Sequence, residues 1–302
     1  MGWREQGKSA PSVNVGGVVV SLIAIATTLF PVALWRLLYP ASDWAALCLA
    51  PLALLLFEGI RRPLAAALRA RAEAVVRHDS PIARFATGQL RAAVHATLFA
   101  GSAVVVLAWQ ALEASWTEAL ILAAACAAGC CAAVYAPRRA GSHFRLAVAD
   151  HYGIAFGALG VAVVLVPLLA WVNWPFVVCS GEFRELGLQA TMEFWLEKRL
   201  PSRGGWIAEG LALMYAIEAI QVFAVARLWG LGSAGALLYS VYLSLVAYLV
   251  ARSSAAVSWF VRDSLTRRRG TGAKAAPIAF WGPIGVLAVA TIGAAMIDPS
   301  GA

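Results

Sequence analysis

Trp206–Arg227 reads WIAEGLALMYAIEAIQVFAVAR, and its reading decides the class of the whole chain. A hydrocarbon core about 30 Å thick takes about 20 mostly apolar residues at 1.5 Å each. Residues 206–226 meet that length, with Trp206 suited to one interface and Arg227 to the other. The segment nevertheless holds Glu209, Glu218 and Gln221. Glu209 falls in the first turn, where the helix dipole and nearby water favour an acid. Glu218 falls near the middle of the expected crossing, where a charge costs about 2.5–3.5 kcal/mol. The surrounding Leu, Ile, Val and Phe each return about 0.3–0.6 kcal/mol, so the segment still inserts. Helical spacing puts Tyr215, Glu218 and Gln221 on one face. That trio is a candidate intramembrane polar site, either a proton- or ion-linked acid or a substrate contact. The competing reading is a protonated Glu218 hydrogen-bonded to a neighbouring helix.

The composition agrees. Of 302 residues, 61% are hydrophobic and 13% charged, where a soluble domain averages about 45–50% and about 25%. Mean hydropathy is +0.76. The expected fold is therefore all-α: a single polytopic membrane domain of about seven or eight transmembrane helices with interfacial amphipathic helices. The expected spans are 16–38, 44–60, 90–112, 116–135, 153–172, 206–226, 234–250 and 276–297. The net charge of +8 is nearly all arginine and lies between the apolar runs. That is the positive-inside pattern, so anionic lipid headgroups explain it and nucleic acid does not. The arginine and alanine bias fits a bacterial inner membrane, and the N-terminus is expected in the cytoplasm.

The strongest topology signal is the basic stretch 61–89, continued to Arg91 and expected in the cytoplasm, with Arg61, Arg62, Arg69, Arg71, Arg77, Arg84 and Arg91 against Glu73 and Asp79. Leu64–Val76 is expected to lie as a helix on the inner leaflet. The Arg61–Arg91 surface anchors topology or docks a soluble partner. Glu58, three and four residues before Arg61 and Arg62, forms a local ion pair. The segment 173–205 is expected outside, with Phe183–Lys198 an amphipathic helix on the outer interface.

Two further sets of residues are candidates. His95, in the expected third span, is a proton partner for Glu218 or a packing histidine. Arg138, Arg139, His143 and His151, beside Asp150, are candidates for holding a phosphate or lipid headgroup. His143 and His151 are about 80° apart on a helix, which is poor for joint ligation. No metal-ligand spacing and no cofactor motif is present. The cysteines, Cys48, Cys126, Cys130, Cys131 and Cys179, lie mostly in apolar runs and read as small packing residues. Gly153 and Gly157 make a small-xxx-small packing face.

Simple crossings from a cytoplasmic N-terminus place the stretch Arg252–Lys274 outside, while its arginines argue for inside. Either the positive-inside rule fails at this late loop, or one run between Gly153 and Val250 does not cross fully, with Trp171–Gly205 the expected place. No catalytic motif is present, which leans away from an enzyme. Three functions remain: a permease-like or membrane-embedded subunit of a larger assembly, a stand-alone transporter coupled through Glu218, or a membrane enzyme acting on a lipid-linked substrate at Arg138–His151.

Overall fold

The computed structural model describes residues 15–75, 88–144, 146–179, 185–199, 205–228 and 233–271; the expected span 276–297 lies outside them. Helices account for nearly all of the described residues, and no strand occurs among them. In chain order they are α1 (Val15–Leu38), a 3-10 segment (Asp43–Leu49), α2 (Ala50–Val75), α3 (Gln89–Glu113), α4 (Trp116–Ala140), α5 (Leu146–Cys179), α6 (Leu188–Arg199), α7 (Trp206–Leu228) and α8 (Ser233–Thr271). Seven stretches are long and apolar enough to cross a membrane: Gly17–Leu38, Asp43–Glu73, Gln89–Leu112, Trp116–Ala140, Val148–Val172, Trp206–Arg227 and Leu243–Thr266. The chain is an all-α, multi-pass membrane protein.

α8 is the axis of the bundle. It packs against α4 and α5 most extensively, and also against α1, α2, α3 and α7. Every residue from Val250 to Trp259 is buried, as expected for a helix enclosed on all sides. The packing rests on small residues. A Cβ at Gly59 of α2 would overlap the Ala256 carbonyl, and one at Gly129 of α4 would overlap Ser254. Cys130 donates its Sγ hydrogen to the Ser254 carbonyl at 3.4 Å. Ser258 donates its hydroxyl to the Cys130 carbonyl at 3.0 Å. Gly153 sits against Pro137, and Gly157 against Ala132 and Ala136, so the small-residue face of α5 packs on α4. Cys48, Cys126 and Cys130 are buried free thiols.

Several boundaries differ from the sequence reading, in three places and at the end of α5, which runs on to Cys179. First, α8 does not end at Val250 but continues through the expected loop to Thr271. The run Ala255–Val261 is apolar or small and buried except for the half-buried Phe260, and Ser254 returns its hydroxyl to the Ala251 carbonyl at 3.0 Å. A lone Arg252 followed by two serines is therefore interior to a helix. Second, α2 continues from Ala50 to Val75, so Leu64–Val75 extends the spanning helix. Glu58 makes this tolerable by holding Arg61 at 2.9 Å and Arg62 at 2.7 Å. Third, α4 persists to Ala140 and α5 starts at Leu146. Arg138 and Arg139 complete the last turn of α4, where cations suit the helix dipole.

The bundle has an arginine-rich end and a tryptophan-rich end. At the first, Arg262 of α8 meets Asp150 of α5 at 2.7 Å, and Arg62 of α2 meets Asp263 of α8 at 3.2 Å. At the second, the Trp35 indole donates to the Ala108 carbonyl at 3.1 Å. There Trp35, Tyr39, Trp109, Trp195 and Tyr215 share one cluster.

This polarity bears on which segment would not cross. α8 runs parallel to α4, since Cys130 meets Ser254 and the Ala133 carbonyl meets Arg262. Ser254 is therefore level with the middle of α4. Ser233 precedes it by 21 residues, about 32 Å of helix. That exceeds half of a core about 30 Å thick, so α8 starts beyond the tryptophan-rich surface. α7 ends five residues before α8 begins. It starts beside Gly205, whose φ of 136° lets it lie against the Asp43 carboxylate, just past the tryptophan-rich end of α1. Both ends of α7 are thus on one side. α7 is long and apolar enough to span, and the placement of its ends makes it a second candidate, beside Trp171–Gly205, for the run that does not traverse. The arginines of α8 fall at the same end as those of α2 and α4.

Candidate functional site

The first expected site is on α7. Tyr215 is fully enclosed in the aromatic cluster of the tryptophan-rich end. Glu218 and Gln221 are half-buried one turn further on, and Glu218 is engaged with a neighbour. His95 lies near the start of α3, at the opposite end of the bundle. The structure does not bring His95 to Glu218.

The second expected site also divides. Arg138, Arg139 and His143 are exposed at the end of α4 and in the following turn. Arg138 covers the ring of Tyr135, 5.9 Å from its centroid. His151 is on α5 and half-buried. Its Nδ1 is buried and has no hydrogen-bond partner. The ring stands edge-on to Tyr152, centroids 5.5 Å apart. Tyr152 stacks between Phe144 and Phe156 at 4.9 and 6.0 Å. Arg71 of α2 lies over the same tyrosine ring at 5.7 Å and donates to its hydroxyl.

One member of each expected set comes within electrostatic reach of the other here. His95 is an electrostatic neighbour of His151, and so are Arg71 and Arg252. Four helices (α2, α3, α5 and α8) therefore each contribute one basic group. Arg252 is the residue that sequence reasoning missed. It is 7% exposed, its Nη1 is buried without a hydrogen-bond partner, and Tyr248 is its polar neighbour. The adjacent Ser253 hydroxyl is buried and unpartnered as well. The nearby acids are committed elsewhere: Asp150 to Arg262, and Glu58 to Arg61 and Arg62.

Comparison with family models, with curated proteins and with solved structures returns no match.

The arrangement has one chemical meaning. Arg252 is an unpaired buried cation, and such a group bears a desolvation penalty of several kcal/mol. An anion beside it would offset that penalty. Guanidinium and imidazole N–H groups are the donors that carboxylate and phosphate oxygens take up. Among the described residues no three His, Cys, Asp or Glu side chains converge as metal ligands.

Proposed function

We propose that the chain is a permease-like membrane protein that binds an anionic solute inside its helical bundle. The observation carrying this reading is Arg252, a guanidinium enclosed at the axis of the bundle without a carboxylate partner among the described residues. Intramembrane cations that face a bundle interior mark solute pathways more often than packing sites. His151 supplies a second inward-facing donor. Arg71 and His95 approach from the arginine-rich end, where they would draw an anion in. The Glu218-coupled reading has less support, because α7 starts and ends on one side and His95 is remote from it. The lipid-linked enzyme reading has less support too, because His151 is half-buried while Arg138, Arg139 and His143 are exposed.

The test is a thermal melt of the purified protein in neutral detergent. Chloride, phosphate, sulfate and acetate are each titrated as the sodium salt at constant ionic strength. At least one anion should raise the melting temperature in a saturable way, and Arg252→Met should remove that rise. The proposal is overturned if no anion has a saturable effect, or if the effect survives in the variant.

A further inference from the structure

A second basic feature lies on the flank of the bundle and does not depend on Arg252. Arg61, Arg62, Ala65, Ala66 and Arg69 of α2 follow one another at helical spacing, so one face of the helix alternates guanidiniums with methyls. Gln89, at the start of α3, closes the opposite wall. The space between them has a volume of about 230 Å³, well over ten times the roughly 10–15 Å³ that one water needs.

The charges lining this groove are incompletely matched. Glu58 takes one nitrogen of Arg61 and one of Arg62, and Asp263 takes another of Arg62. Arg69 is exposed and has no acidic partner among the described residues. The Nε of Arg61 is buried and makes no hydrogen bond. Three guanidiniums thus face two carboxylates, and donors remain on both sides of the space. The α3 wall adds to this. Gly88 at φ 67° starts the helix with no side-chain cap, so among the described residues no side chain takes up the first-turn amides beside Gln89, the groups that anions engage at helix starts.

Apolar surface adjoins the groove. The stretch Asp43–Glu73, to which Arg61–Arg69 belongs, is apolar enough to span over part of its length. Beside Gln89, α3 presents Leu90, Val94 and Leu98 outward, 80%, 52% and 69% exposed. A phosphate in the groove would have acyl-compatible surface directly below it.

We propose that the α2–α3 groove binds a phosphate group, gripped by Arg61 and Arg69 and by the first-turn amides of α3. The phosphate arrives on an anionic lipid headgroup or as a free ion. The full chain in neutral detergent is titrated with phosphatidic acid, phosphatidylcholine and inorganic phosphate and read by native mass spectrometry. Phosphatidic acid should bind at least tenfold more tightly than phosphatidylcholine, and Arg69→Gln should cost about tenfold. Arg139→Gln, at the same end but outside the groove, should cost less than twofold. Arg252→Met should leave this binding unchanged, which separates it from the bundle site. Inorganic phosphate that displaces the lipid identifies the free ion as an occupant, whereas lipid binding that phosphate does not displace identifies the headgroup. Binding of phosphatidic acid and phosphatidylcholine with equal affinity, together with no binding of phosphate, would overturn the proposal. So would equal losses in Arg69→Gln and Arg139→Gln, the signature of diffuse surface charge.

Discussion

Arg252 shows how a single residue can oppose the fold that contains it. Replacing buried ionic groups by apolar residues of similar volume is commonly neutral or stabilising by about 1–4 kcal/mol. Arg252→Met should therefore melt at a higher temperature than the native chain in anion-free buffer while losing the response to anions. A loss of stability beyond about 2 kcal/mol, measured by chemical unfolding in detergent, would instead make the arginine a structural strut. His95 and His151 were legible as odd polar groups in apolar surroundings, but their meeting was not. They sit on helices separated by α4, and helical spacing relates only residues of one helix. Arg252 escaped for a different reason. A cation followed by two serines looks like a helix leaving the membrane, and the contrary signal, the apolar run from Ala255 to Val261, lies downstream of it.

Among the elements, α8 and its neighbours depend on missing side chains. Gly129 gives up its Cβ so that Ser254 and the Ala251 carbonyl can approach α4. Overpacking a tight interior costs about 1–3 kcal/mol. Gly129→Leu should lower stability by at least that much, as read from the unfolding midpoint. Gly101→Leu is the control, since nothing lies near its Cβ position, and it should stay within about 0.5 kcal/mol. The start of α4 offers a milder case. Ser115 and Glu118 form a reciprocal cap, and Ser115→Ala should cost about 1 kcal/mol. The small-residue face at Gly153 and Gly157 was readable because its spacing is local. The length of α2 was not, because what keeps Arg62 in the helix includes Asp263, 201 residues away.

For the whole molecule, the open question is whether α7, long and apolar enough to span, turns back instead of crossing. The paradox of the basic α8 end was visible in the sequence, with two ways out: a failure of the positive-inside rule there or one incomplete crossing. Length and hydropathy do not choose the segment, because they do not distinguish a helix that spans from one that turns back. Single cysteines placed in a chain whose own cysteines are changed to alanine test the arrangement. Glu209→Cys and Arg227→Cys, at the two ends of α7, should react with a membrane-impermeant maleimide from the same side. Ser142→Cys should react only from the other. Labelling of the two α7 positions from opposite sides would restore α7 as a crossing helix.

The enclosure of α8 also bears on how the chain is made. A ribosome delivers α1 to α5 before the helix that all of them surround, so for a time the growing bundle has walls and no centre. Gly59 and Gly129 then border a cleft that lipid must fill. When α8 follows, its arginine and serines enter among helices already in place and never need to face acyl chains alone. Insertion of the most polar crossing helix is thus made tolerable by its position late in the sequence.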